Sequence, residues 1–167
     1  MKKILVIIFI LFLNQTFCQN VNEDSEQKIQ HKIYSKCFES LKPIPEIENH
    51  IPLKNISFCS LSECVMAFEY AKDEKTILEA ISKRAIEICV ILYDEGTPIY
   101  LTSGMDSSYD ADEKNQNLTD DNHLVYISVA ECLSSKSLEK IKDIVNEQTK
   151  KLINKNQTKT YLLKEEF

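Results

Sequence analysis

Ile29, Ile33, Cys37 and Leu41 recur every four residues with Tyr34 and Phe38 beside them, and this spacing predicts an amphipathic helix over 25–41. Pro43 and Pro45 end it, because proline has no amide proton and biases its predecessor away from helix. The proline-rich stretch 43–55 reads as an extended connector, and Ile56–Cys59 as a short strand. Ser60 followed by Glu63 has the spacing of a capping box, with Leu61, Val65 and Phe68 continuing a helical stripe. Thr76 and Glu79 repeat that spacing ahead of Ile77, Ile81 and Ala85, so 61–84 is either one long helix or two.

The densest apolar run follows, over 84–104. Ile86, Ile88, Val90 and Leu92 would share one strand face and Cys89, Ile91 and Tyr93 the other, a strand covered on both sides. Asp94-Glu95-Gly96-Thr97 then reads as a turn and Pro98–Ser103 as the returning strand, a central hairpin. Residues 105–122 are acidic and polar without apolar periodicity, which predicts a long solvated loop. Alternation over 123–130 predicts another strand, and Leu138, Ile141, Ile144, Val145 and Leu152 a final helix over 135–154, capped by Ser134 or Ser135. The fold class expected is α+β: a small, mostly antiparallel, three- to four-stranded sheet packed against two to four helices, in one domain spanning 27–157. Residues 158–167 are left as a tail or short edge strand.

Composition changes this picture mainly at the N-terminus. Lys2 and Lys3 precede the apolar run Ile4–Leu13, and Thr16-Phe17-Cys18 offers small residues where a signal peptidase reads, so 1–18 resembles a secretory signal peptide. The run is too short to span a bilayer, which takes about 20 apolar residues, so no membrane span is expected in the mature chain. A lipid anchor at Cys18 is the less favoured alternative, because Phe17 replaces the usual small residue. Cleavage after residue 18 of 167 leaves 149 residues, enough for one core, beginning with a polar arm over 19–26. The expected location is extracytoplasmic, either secreted or periplasmic.

Losing Lys2 and Lys3 also moves the formal net charge from −6 to −8. An acidic chain repels phosphate backbones, which argues against a nucleic-acid partner and for a basic protein one. Five of the six cysteines stay in the mature chain, Cys37, Cys59, Cys64, Cys89 and Cys132, so export predicts up to two disulfides and one thiol over. Asn55-Ile-Ser, Asn117-Leu-Thr and Asn156-Gln-Thr are glycan-acceptor sequons where the host glycosylates exported chains.

Candidate chemistry is thin. With Gly96 and Gly104 as its only glycines, the chain can build neither a phosphate-cradling loop nor a dinucleotide fingerprint, and the serine elbow of α/β-hydrolases is absent. His31, His50 and His123 lie far apart, so no metal is expected, nor any other cofactor. Asp110-Ala-Asp112 opens like a calcium loop, but Lys114 and Asn115 stand where an oxygen ligand and the turn glycine belong. Cys59 and Cys64 form the local pair of interest: a disulfide clipping the helix start, or a thiolate at Cys64 favoured by the helix N-terminus. Two functions are weighed. One is an exported, non-enzymatic binding protein, inhibitor- or immunity-like, using Asp106, Asp110, Asp112, Glu113, Asp120 and Asp121. The other is a small thiol-dependent enzyme or redox protein using Cys59 or Cys64.

Overall fold

The computed structural model describes residues 23–48, 50–71, 74–116, 124–132 and 134–155. Its elements in order are α1 (Glu23–Tyr34), α2 (Pro45–Glu48), α3 (Leu61–Tyr70), α4 (Lys75–Asp94), β1 (Ile99–Ser103), α5 (Ser107–Gln116), β2 (Val125–Ala130) and α6 (Lys136–Lys155). The sheet is β1 paired with β2, and the pair is parallel. This replaces the antiparallel, three- to four-stranded sheet expected from the sequence. Parallel neighbours need a crossover connection, and α5 supplies it.

The largest departure is in the apolar run, where the expected hairpin gives way to the 20-residue helix α4. Ile77, Ile81, Ala85, Ile88, Cys89 and Leu92 are buried at three- and four-residue steps, against α3, α6 and β1. A run apolar on every side fits either a covered strand or a buried helix, and here tertiary burial outweighs the β preference of its branched residues. Gly96 changes role accordingly. At φ +80° it sits just past the helix end, with Gly96 N–H donating to the Tyr93 carbonyl at 3.0 Å and Thr97 N–H to the Leu92 carbonyl at 2.8 Å. That is a Schellman cap, so the glycine read as a hairpin turn closes a helix.

Other starts and stops follow the chemistry more closely. Ser60 and Glu63 form the reciprocal capping box at α3. The second box does not form: α4 begins after Glu74, whose side chain makes no cap. Helix α1 begins at Glu23, inside the segment read as an arm, and ends at Tyr34 rather than Leu41. The following segment is irregular but anchored, because Phe38 is buried and its N–H donates to the Cys59 carbonyl at 2.7 Å. Ile56–Cys59 is not a strand, and Phe58 takes the left-handed region at φ +54°. The buried Arg84 of α4 holds that turn, donating from Nη1 to the Phe58 carbonyl at 3.0 Å and from Nη2 to the Lys42 carbonyl.

Two strands leave two open edges, and each is met by an asparagine. Asn146 of α6 accepts from Leu101 N–H at 2.8 Å and donates to Leu101 C=O at 2.9 Å. Asn115 of α5 does the same to Tyr126, at 2.8 and 2.9 Å. Each side-chain amide thus stands in for a neighbouring strand along an edge, satisfying backbone groups that would otherwise be costly to cover. Ile99, Leu101, Val125 and Ile127 join the main core, which Leu138, Ile141 and Val145 of α6 close. Ser135 caps α6, accepting from Leu138 N–H at 2.9 Å. The leader 1–18 and the tail 158–167 lie outside the described residues.

Candidate binding site on the crossover helix

The turn from β1 into α5 uses two unusual backbone positions, Gly104 at φ +114° and Asp106 at φ +62°. Aspartate tolerates the left-handed region better than most residues because its short side chain can bond locally. The turn is fastened to the C-terminal end of β2. Gly104 N–H donates to the Ala130 carbonyl at 2.9 Å, and the Ser107 hydroxyl lies 2.8 Å from that same oxygen and 2.7 Å from the Ser128 hydroxyl.

The stretch read as an acidic loop is therefore helical over its first part, and this sorts its acids. Ser107, Ala111, Asp112 and Asn115 turn inward. Tyr109, Asp110 and Glu113 are exposed on the opposite side, continuing from the exposed Met105 and Asp106 in the turn. Tyr109 is 67% exposed and Met105 79%. Tyr109 and Glu113 are one turn apart, so the aromatic ring and the acids form one surface. Lys114, the basic residue of this stretch, places its ammonium 5.0 Å from the Tyr126 ring centroid.

Asp112 departs from the expected acidic surface. It is buried, and Gln30 Nε2 of α1 donates to its Oδ1 at 2.5 Å, tying α1 to α5. Asp120 and Asp121 lie outside the described residues. Beside Asp112, α1, α5 and the end of β2 enclose a cleft of about 350 Å³.

The cysteines are arranged differently from the local clip. Cys59 is joined by a disulfide to Cys37, across 22 residues, which pins the turn at Phe58 to the segment after α1. Cys64 is a free thiol in the first turn of α3, as its spacing implied, but it is buried and burial pushes its pKa up to about 12. That opposes the thiolate the helix terminus would favour. Cys89 is likewise pushed up to about 11 by burial, with its Sγ 3.1 Å from Thr149 Oγ1, while Cys132 is free and exposed. His50 Nε2 lies 3.1 Å from Glu74 Oε1, and His123 is outside the described residues. Among the described residues no group of three or more His, Cys, Asp or Glu is placed to hold a metal ion.

One polar cluster had no signature in the sequence. Ser103, at the end of β1, donates from Oγ to Glu139 Oε1 at 2.6 Å, while Lys142 Nζ donates to Ser103 Oγ at 2.8 Å and pairs with Glu139 Oε2. Hydrogen bonds from Lys142, then Ser103 and Ser134, hold the Glu139 carboxyl down at about 2. A serine beside a lysine suggests nucleophilic chemistry. Here both groups donate toward the carboxylate, so the geometry is that of a tie between β1 and α6. The signal available was the i, i+3 spacing of Glu139 and Lys142, which alone does not reach Ser103.

Comparison with protein-family models, with curated proteins and with solved structures finds no match to this chain. No helix among the described residues is long and apolar enough to cross a membrane.

Proposed function

We propose that this chain is an exported, non-enzymatic binding protein that docks a basic protein partner on the outward face of α5. The carrying observation is the exposure of Tyr109 and Met105 among Asp106, Asp110 and Glu113 on a helix whose other face is fastened to the sheet. Tyrosine and methionine are favoured anchors at protein interfaces, and surrounding acids would steer a basic partner. Inhibition or immunity toward a basic enzyme is the form of this activity that the acidity suits best. Export is supported by the leader-like segment 1–18 and by the Cys37–Cys59 disulfide, since such bonds persist in oxidising compartments.

The alternative, a thiol-dependent enzyme, is disfavoured by the same cysteines: Cys59 is oxidised and Cys64 is held protonated by burial. A photo-crosslinking residue at position 109, with another at Lys83 on α4 as control, tests the docking face in the native secretion medium. The expected result is an adduct with a basic protein from position 109 only, lost at high salt and lost in the triple variant D106N/D110N/E113Q. Equal adducts from both positions, or adducts indifferent to the triple substitution, would retire the reading.

A further inference from the structure

Helix α4 carries more apolar residues than its core face needs. Ile77, Ile81 and Ile88 turn inward, while Leu78 and Ile86 stay half-buried on the flank toward α6, where Ile144 is half-buried as well. The two helices run in the same direction, since Cys89 meets Val145 and Thr149 while the segment 75–86 faces 140–144. Between them lies a groove of about 540 Å³ floored by Leu78, Ile86 and Ile144. That volume is within the roughly 300–1,000 Å³ of ligand sites, and a helix apolar on all sides is ordinarily covered on all sides.

The rim has the opposite sign to the chain as a whole. Lys75, Lys83 and Lys140 line the groove against one acid, Glu79, in a chain of net charge −6. Lys75 lies 3.8 Å from Glu79, with both side chains exposed. Lys83 is in no ion pair among the described residues, and the contact of Lys140 Nζ is the Phe68 ring, 6.0 Å away. Of the other acids on these helices, Glu87 pairs with Arg84, and Glu139, Asp143 and Glu147 stand on the neighbouring row of α6. Helix α4 also begins with no acid in its first turn and no side-chain cap, so the positive end of its dipole adds to the lysines at the groove mouth.

We propose that this groove docks an acidic amphipathic helix from a protein partner, its aliphatic side chains on Leu78, Ile86 and Ile144 and its carboxylates over Lys75, Lys83 and Lys140. The site is separate from the docking face of α5, whose partner is basic. Leu78 and Ile86 are eight residues apart, about 12 Å along α4, and anchors seven or eight residues apart on a partner helix span the same distance. Burial on the apolar floor supplies the affinity, and the lysines select the sign and register of the partner. Their stems can lie along the docked helix while the ammonium groups stay in water.

The test is fluorescence anisotropy, with circular dichroism alongside, on the purified oxidised protein and a labelled peptide carrying leucines on one helical face and glutamates elsewhere. Two further peptides serve for comparison: one of the same composition scrambled so that the leucines share no face, and one with lysine in place of glutamate. K83Q/K140Q removes rim charge, Ile144→Gln spoils the floor, and K151Q/K155Q makes the same charge change farther along α6. Thermal melts check folding. The expected outcome is binding of the leucine-faced acidic peptide alone, with a gain of helix, weakened about tenfold by K83Q/K140Q or by Ile144→Gln and little by K151Q/K155Q. Should Ile144→Gln fail to fold, the exposed lysines carry the decision. Equal binding of the scrambled peptide would make the groove a basic patch without a shape and overturn the proposal. So would an absence of binding, or binding indifferent to K83Q/K140Q. D106N/D110N/E113Q on α5 is expected to bind this peptide like wild type, and a loss there in place of the groove variants would also overturn it.

Discussion

Helices α4 and α5 both pack against β1, and opposite forces hold them there. Helix α4 is an apolar rod whose buried residues include Ile81, Ala85, Ile88 and Leu92. Full burial of each large aliphatic side chain is worth about 1.5–3 kcal/mol, so its place is set by the exclusion of water. Helix α5 buries one alanine and otherwise holds by polar contacts: Ser107 to Ser128 and Ala130, Asn115 to Tyr126, and Asp112 to Gln30. Such bonds contribute only about 0.5–1.5 kcal/mol each, but they are directional and leave the far side of the helix unneeded for folding. The apolar helix carries the stability. The polar one leaves Tyr109, Asp110 and Glu113 exposed on its far face.

The sharpest way to break that contrast is a pair of truncations. Ile88→Ala in α4, where the side chain is fully buried, is expected to cost about 2–5 kcal/mol in urea unfolding. Tyr109→Ala in α5 is expected to change stability by no more than about 0.5 kcal/mol. Comparable losses in the two would mean that the outward face of α5 is structural, and would remove the ground for calling it a docking surface.

What the sequence revealed follows the same division. Helix α6 and strand β2 were legible because each buries one regular stripe: Leu138, Ile141 and Val145 on the helix, Val125 and Ile127 on the strand. The Ser60–Glu63 cap was legible because its two bonds are local. The first half of helix α4 was legible from Ile77, Ile81 and Ala85, but its continuation beyond Arg84 was not, since an evenly apolar run has no face to count and Gly96 serves a turn or a helix end equally well. Helix α5 was missed for the reverse reason. Its inward face is Ser107, Asp112 and Asn115, so no hydrophobic period marks it, and of its acids Asp112 alone turned out to be inward. The edge asparagines left no trace either, because a side chain standing in for a strand has no repeat, and the pairing of Cys37 with Cys59 depends on a turn that only the fold creates.

Those asparagines allow a finer comparison of the two helices. Asn146→Ala would leave the N–H and C=O of the buried Leu101 without their partner under α6, and an expected cost of about 2–3 kcal/mol follows from two unmet groups. Asn115→Ala strips the same two bonds from Tyr126, but that strand position is only partly buried and water can replace the amide, so about 1 kcal/mol is expected. Urea midpoints of the two variants measure this directly. A larger loss at Asn115 would show the α5 edge to be drier, and the helix more integral, than its polar inward face suggests.

Another expected effect appears only in alkali and concerns the apolar side. Cys64, packed in the core, has its pKa raised by burial from about 9 to about 12. Over that interval the unfolded chain loses the thiol proton while the folded chain keeps it, so the folded state binds more protons and stability falls as pH rises. Its contribution is fully present below about 9 and declines toward about 12, amounting to about 1 kcal/mol one unit above the lower bound. Cys89 adds a loss of the same sign between about 9 and about 11. Replacing Cys64 with alanine should flatten part of this alkaline decline in urea-unfolding free energies measured pH by pH. If the decline were unchanged, the thiol would be ionising within the folded protein, and Cys64 would return as a nucleophile accessible to chemistry rather than a packed side chain beneath α3.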